Sequence, residues 1–217
     1  MKNKIFITGG TGYIGSRLIP RLLNNGFEVT ALVRKGSENK LNVNCNKVIG
    51  NPFDGKTFEQ KISPADIFIQ LVGVPHPSPA KAKQFREIDL ISGIESINAA
   101  KKSGIKKFIY ISVAHPAPIM KEYQEVRKEV ETNLINSGLN YIIVRPWYVL
   151  GPGHYWAYVL KPAYYILKKL QSTKETAERL DLININQLIE FLVEIIKHNN
   201  FTNEIFEVPQ IKKILKV

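Results

Sequence analysis

Cysteine is nearly absent: Cys45 is the single one in 217 residues, which excludes an intramolecular disulfide. It lies among polar residues and reads as a bystander thiol rather than a nucleophile. Long apolar runs are also missing, so no segment has the length of a membrane span and stable membrane insertion is not expected. The chain runs straight into a strand with no signal-peptide pattern before it, so a cytoplasmic location is the expectation. There is no Gly-x-Ser-x-Gly elbow and no Gly-Lys-Ser/Thr phosphate loop, which removes common hydrolase and kinase readings. No two of the four histidines have metal-ligand spacing, and no metal site is expected. Repeats, linkers and low-complexity segments are lacking as well, and the length suits one domain over residues 1–217.

Acidic residues are in short supply, 19 against 30 Lys and Arg, for a net charge of +11. Much of the lysine comes in pairs, such as Lys106 and Lys107 or Lys168 and Lys169. The pairs are scattered over several elements without interleaved aromatics, which reads as a solvated surface rather than a nucleic-acid site. The charge does suit an anionic cofactor.

What is present begins with KIFITGGTGYIG, Lys4 to Gly15. Ile5, Phe6 and Ile7 form an unbroken apolar run, as in a strand buried on both faces of a parallel sheet. Glycines follow at 9, 10, 12 and 15, and then Ile14, Leu18, Ile19, Leu22 and Leu23 take up helical spacing. A glycine turn between strand and helix brings the positive end of the helix against a phosphate, where any side chain would block the approach. Gly9, Thr11, Gly12, Tyr13, Ile14 and Gly15 are the candidate cofactor contacts of this turn.

A second strand, Glu28 to Val33, ends on Arg34, and no Asp or Glu occurs between Thr30 and Ser37. An acidic residue at this strand end would accept from a free ribose 2′-hydroxyl, whereas arginine suits a 2′-phosphate. NADP(H) is therefore expected over NAD(H), with Arg34 on the phosphate. Lys47 to Gly50 is a short third strand, followed by the turn-rich NPFDG, in which Asn51 is a further candidate contact. Ile67 to Val72 is a fourth strand, and Leu71, Val72 and Gly73 at its carboxyl end could line the cofactor, because ligands of open parallel sheets sit there.

Pro79 to Ser103 reads as a long helix with Phe85, Ile88, Ile91, Ile94 and Ile97 as its apolar stripe. Lys107 to Ile111 is a fifth strand ending at Ser112, and a helix runs from about Lys121 to Ser137. Asn140 to Val144 is a sixth strand, ending in Arg145 and the candidate cofactor contact Pro146. Strands alternating with helices predict a doubly wound parallel α/β sheet. Residues 147–185 are expected on the substrate side. Within them, Tyr155 to Leu170 reads as an aromatic-rich helix kinked at Pro162, either lining the pocket or packing, with contact at a membrane surface a weaker alternative. Asn186 to His198 reads as a terminal helix, and Ile205 to Val208 as a seventh, edge strand.

On the helix from Lys121, Tyr123, Arg127 and Glu131 are spaced by four and share one face beside the apolar stripe of Val126, Val130 and Leu134. With these residues in view, TGGTGYIG, the strand-end Arg34, the Ser112 strand end, the Tyr123 helix and SGLNYIIVRPWYVLGPG from Ser137 resemble the atypical short-chain dehydrogenase/reductase group. That group includes NAD(P)H-binding, NmrA-like and epimerase-like members and has a Rossmann-type fold, and the likeness covers essentially the whole chain.

The resemblance implies a Tyr-x-x-x-Lys pair assisted by a Ser or Thr. Here the spacing gives Tyr123 with Arg127 in the lysine position. An arginine can lower a tyrosine's pKa and hold a ribose, but it is never deprotonated and passes no proton on. The functional hydroxyl of many relatives resembles the residue after Ser112, and Val113 has none. The catalytic set implied is Tyr123 as general acid, Ser112 orienting a carbonyl oxygen, and Arg127 stabilising a tyrosinate. His115 and His154 lie in loops from which either could reach the substrate. The expected activity is NADP(H)-dependent reduction of a small carbonyl or quinone-like substrate. A non-catalytic NADP(H)-binding sensor or assembly protein is the alternative, and a sugar-nucleotide epimerase or dehydratase a weaker one. The sequence leaves the oligomeric state open.

Overall fold

A computed structural model describes residues 3–41, 43–198 and 200–216; Met1 and Lys2, which lead into the first strand, lie outside the described residues. The chain runs β1 (Lys4–Thr8), α1 (Gly15–Asn24), β2 (Glu28–Val33), β3 (Asn46–Ile49) and β4 (Ile67–Gln70). A helical stretch follows, with α2 (Ala82–Gln84), a π-helical segment (Phe85–Leu90) and α3 (Ile91–Lys102). Then come β5 (Lys107–Ile111), α4 (Lys121–Ile135), β6 (Asn140–Arg145) and β7 (Val149–Leu150). The last part holds α5 (Lys161–Leu167), α6 (Lys174–Arg179), β8 (Ile183–Asn184), α7 (Ile185–Lys197), β9 (Glu204–Glu207) and α8 (Val208–Leu215).

Seven strands form one parallel sheet in the order β3-β2-β1-β4-β5-β6-β9, and β7 pairs with β8 in a separate two-stranded ribbon. The doubly wound α/β expectation holds, with the seventh strand at the edge where the sequence put it. Because side chains alternate along a strand, the apolar runs split between two cores. Ile5, Ile7, Ile67, Ile69, Ile109 and Ile111 share one core with Leu18, Ile19 and Leu22 of α1 and with α7. Phe6, Phe68 and Phe108 are in register across β1, β4 and β5. Their rings form a ladder on the other face, with centroids 5.3 and 5.0 Å apart. Burying a Phe or Ile side chain stabilises by about 1.5–3 kcal/mol, so this double-sided burial is what fixes the sheet.

Three expectations are corrected. The fourth strand ends at Gln70 rather than Val72. Leu71 N still donates to Thr8 O (3.1 Å), but Val72 N turns to the Gln70 Oε1 (2.6 Å), whose other contact is the Thr8 hydroxyl (2.9 Å). The predicted stripe on the long helix is buried at its two ends only: Phe85 and Ile97 are buried, Ile88 and Ile94 partly so and Ile91 exposed, whereas Asp89, Ser92, Gly93 and Ser96 between them are buried. A spacing of three residues drifts about 60° per step around a helix of 3.6 residues per turn, and the π-helical segment shifts the face further. Pro162 does not kink a helix; it occupies the first turn of α5, where its missing N–H costs nothing.

Candidate cofactor and active site

The chain passes from β1 outward to β2 and β3, then crosses back to β4 on the other side of β1. Such a switch point opens a crevice beyond the strand ends, and the glycine turn fills it. Gly9 has φ +76°, and a Cβ there would lie 2.7 Å from Leu71 C and Val72 N. A Cβ on Gly15 would lie 2.5 Å from Gly9 O. The turn is closed by Gly12 N donating to Gly9 O (3.0 Å). No side chain caps α1 and no acidic residue occupies its first turn, so the positive end of the helix is left for an anion.

A cavity of about 610 Å³ lies against this turn, within the range of small-molecule sites. Gly12, Tyr13 and Ile14 form one wall, Leu71 and Gly73 a second, and Ser112, Tyr123, Arg127 and Pro146 the far side. Nine of the sequence candidates thus meet around one space. Gly9, Gly15 and Val72 support the turn from behind. Thr11 is exposed. Arg34 and Asn51 are also exposed, at the neighbouring ends of β2 and β3, where Gly50 N donates to Val33 O (3.1 Å). Asn51 uses its Oδ1 to accept from Phe53 N (3.1 Å).

Tyr123 is half-buried and packs on Phe85, ring centroids 4.8 Å apart. Its helix is anchored by Gln124, whose amide accepts from Ala117 N (2.8 Å) and donates to Ala117 O (3.0 Å). Burial pushes the Tyr123 phenol above its ordinary pKa; the Arg127 charge lowers it and Asp89 opposes that. The hydroxyl is therefore a proton donor at neutral pH.

Arg127 is buried, and so is its partner Asp89, to which Nη2 donates. Nη1 donates to Ile111 O (2.7 Å) and, more weakly, to the Tyr110 hydroxyl (3.4 Å). The second Asp89 oxygen accepts from Val74 N (3.0 Å). Arg127 and Glu131, one turn apart on the same face, pair with other residues and not with each other. Glu131 is buried and receives Arg145 Nε (3.0 Å) and His115 Nε2 (3.3 Å). Against burial, which pushes it up, the His115 and Arg145 hydrogen bonds and the nearby Ser112 hydroxyl hold its carboxyl down to about 2. The Ser112 hydroxyl itself meets no described group in full hydrogen-bond geometry.

Two site residues escaped the sequence reading of the helices and loops. Asp89 was hidden among isoleucines, although its spacing from Phe85, Ser92 and Ser96 follows a true helical face. His76 stacks on His154 (4.8 Å, 10° between rings), and His154 packs on Tyr13 (4.3 Å). Burial, then the neighbouring His76 and Arg17, lower the His154 pKa. His115 turns to Glu131 instead of the cavity.

The residues present fit a dinucleotide. Gly9 and Gly15 of the cradle admit no Cβ, the helix end is uncapped, and Arg127 Nε is buried at the cavity with no partner among the described residues. Fold and crevice define a dinucleotide-binding α/β domain of the Rossmann type. Residues 9–158 match the family model described as NAD(P)H-binding, and the chain belongs to that family, within the atypical short-chain dehydrogenase/reductase group. It is similar to a UDP-glucose 4-epimerase of Vibrio cholerae, 25% identical over 245 residues covering 95% of this chain and 70% of that protein. It is also similar to a putative dihydroflavonol 4-reductase of Synechocystis, 32% identical over 115 residues; these are 52% of this chain and 33% of that one. Among solved structures, a UDP-glucose 4-epimerase of Thermotoga maritima shares the fold with a TM-score of 0.70 at 19% identity, over 98% of this chain and 81% of that one.

Proposed function

We propose that the chain is an NADP(H)-dependent oxidoreductase that reduces a small carbonyl or quinone-like substrate by hydride transfer. The observation that carries this reading is the convergence of the Tyr123 ring, a protonated donor, on the same cavity as the glycine turn. A bound nicotinamide would supply the hydride. Tyr123 donates its phenolic proton to the substrate oxygen as the carbon accepts the hydride, and solvent returns the proton afterwards. Ser112, at the end of β5, orients that oxygen. Arg127 stands with its guanidinium carbon 5.1 Å from the Tyr123 ring centroid, where its fixed charge stabilises the transient tyrosinate. Gly12, Tyr13, Ile14, Leu71, Gly73 and Pro146 contact the cofactor. Arg34 and Asn51 belong to its adenosine end, Arg34 binding the 2′-phosphate. The protein acts in the cytoplasm on a small-molecule substrate.

The test is NADPH oxidation by the purified protein against a panel of small aldehydes, ketones and quinones. Turnover with at least one, lost in Tyr123→Phe, supports the assignment; full turnover in Tyr123→Phe removes it.

A second reading, an NADP(H)-binding sensor or assembly protein without turnover, is favoured by one observation. Arg127 is already engaged by Asp89, Ile111 and Tyr110, and unlike lysine it relays no proton. Tight NADPH binding with no oxidation of any compound in the panel would select this reading.

A further inference from the structure

Among the described side chains of the aromatic segment after His154, none between 155 and 170 lines the cofactor cavity. Leu160 and Tyr164 pack against Leu150 and Leu182, but other apolar side chains of the segment point to solvent. Val159 is 76% exposed, Tyr165 64%, Ile166 60% and Leu170 51%, with Tyr155 and Tyr158 beside them in sequence and also exposed. Single exposed apolar residues are ordinary, but a cluster of this size on one short stretch marks a contact surface.

The charges carried by the stretch itself have one sign. Between Glu131 and Glu175 the chain contains no acidic residue, while Lys161, Lys168, Lys169 and Lys174 fall within or beside the apolar stretch. Lys168 is paired with Asp181. Lys161 Nζ lies 4.5 Å from the Tyr158 ring centroid, and Lys169 Nζ 4.4 Å from that of Tyr165. Ammonium groups held over exposed tyrosine rings set cations directly beside apolar surface, an arrangement that suits a partner both apolar and anionic. A second copy of the chain is a poor match, because a two-fold contact would set this lysine-bearing patch against itself.

We propose that this face docks the protein reversibly on an anionic lipid surface, with α5 lying at the headgroup layer and its apolar side chains reaching into the acyl boundary. The attachment is peripheral: among the described residues no helix is long and apolar enough to cross a membrane. The inference is independent of the chemistry assigned to the cofactor cavity.

Co-sedimentation with vesicles tests it. Vesicles of phosphatidylcholine with phosphatidylglycerol should bring the protein down at low ionic strength, pure phosphatidylcholine vesicles should not, and added salt should release it. Lys169→Ala with Lys174→Ala should weaken binding about 30-fold, since each lysine near such a surface contributes about a factor of five. Ile166→Glu with Leu170→Glu should abolish it, while NADPH affinity and the thermal midpoint stay at the level of the parent protein and certify the fold. Equal binding to neutral vesicles, absence of binding to anionic ones, or indifference to these substitutions overturns the proposal. So does a dimer in light scattering that Ile166→Glu dissociates, which would assign the face to self-association.

Discussion

The guanidinium of Arg127 is clasped between the carboxylate of Asp89 and the ring of Tyr123. One oxygen of Asp89 takes the guanidinium and the other takes Val74 N, so a single buried carboxylate ties α4 to the loop after β4. Both partners are buried, and leaving either charge alone in that environment costs about 3–5 kcal/mol. Asp89→Ala should lower the unfolding free energy by that amount in urea titrations. A loss below about 1 kcal/mol would mean that the pair is not desolvated as its burial implies.

Gly73→Ala probes the same place from the other side. A Cβ at Gly73 would fall 2.3 Å from Arg127 Nη2 and 3.0 Å from Asp89 Oδ1. Overpacking of this kind costs about 1–3 kcal/mol. Because the displaced group is the guanidinium beside Tyr123, turnover should fall further than stability does, a split read by comparing kcat with the urea midpoint.

Tyr123→Phe removes the proposed proton donor and leaves the ring against Phe85. The expected loss is about 10²- to 10⁴-fold in kcat, with NADPH affinity changed by less than about twofold. Loss of affinity together with activity would point to a structural part for this side chain.

Arg34→Ala separates the two cofactors. Arg34 is exposed just beyond β2, so its removal should leave folding intact. A charge-assisted hydrogen bond is worth about 1.5–3 kcal/mol, which corresponds to roughly 10- to 100-fold weaker NADPH binding, with NADH binding unchanged. Fluorescence titration of both cofactors provides the check, and equal effects on the two would remove the role given to Arg34.

Acid should weaken the fold through Glu131. Its carboxyl titrates at about 2 in the folded chain against 4.5 for an ordinary glutamate. A depressed folded pKa stabilises above the unfolded value and loses that contribution as pH falls toward the folded one. The window is therefore about pH 4.5 down to 2, and the contribution is on the order of 3 kcal/mol. Glu131→Gln should flatten the dependence of the denaturation midpoint on pH across that window.

The legible parts of the sequence were those in which one local pattern decides the structure. Ile5, Phe6 and Ile7 could only be a doubly buried strand, and the glycines after them had no other use between a strand and a helix. The Tyr123 face followed from spacing by four. What stayed hidden depended on tertiary partners. Asp89 became visible only when Arg127 was seen against it, because an acidic residue in a run of isoleucines looks like a solvent face. The pairing of Val149 and Leu150 with Ile183 and Asn184 left no alternation long enough to read. The exposure of Tyr165 and Ile166 could not be told from packing, since the same aromatic stripe serves either.

The π-helical turn Phe85–Leu90 joins the short α2 to α3 with a shift of angular phase. At its start Phe85 packs on Tyr123, while downstream Ser92 and Ile97 are set against the sheet. Asp89 sits inside the wide turn itself. The helix thereby meets two surfaces that a uniform α-helix could not satisfy together, and the extra residue in the turn acts as a phase shifter whose excision would bring one surface into step only by throwing the other out.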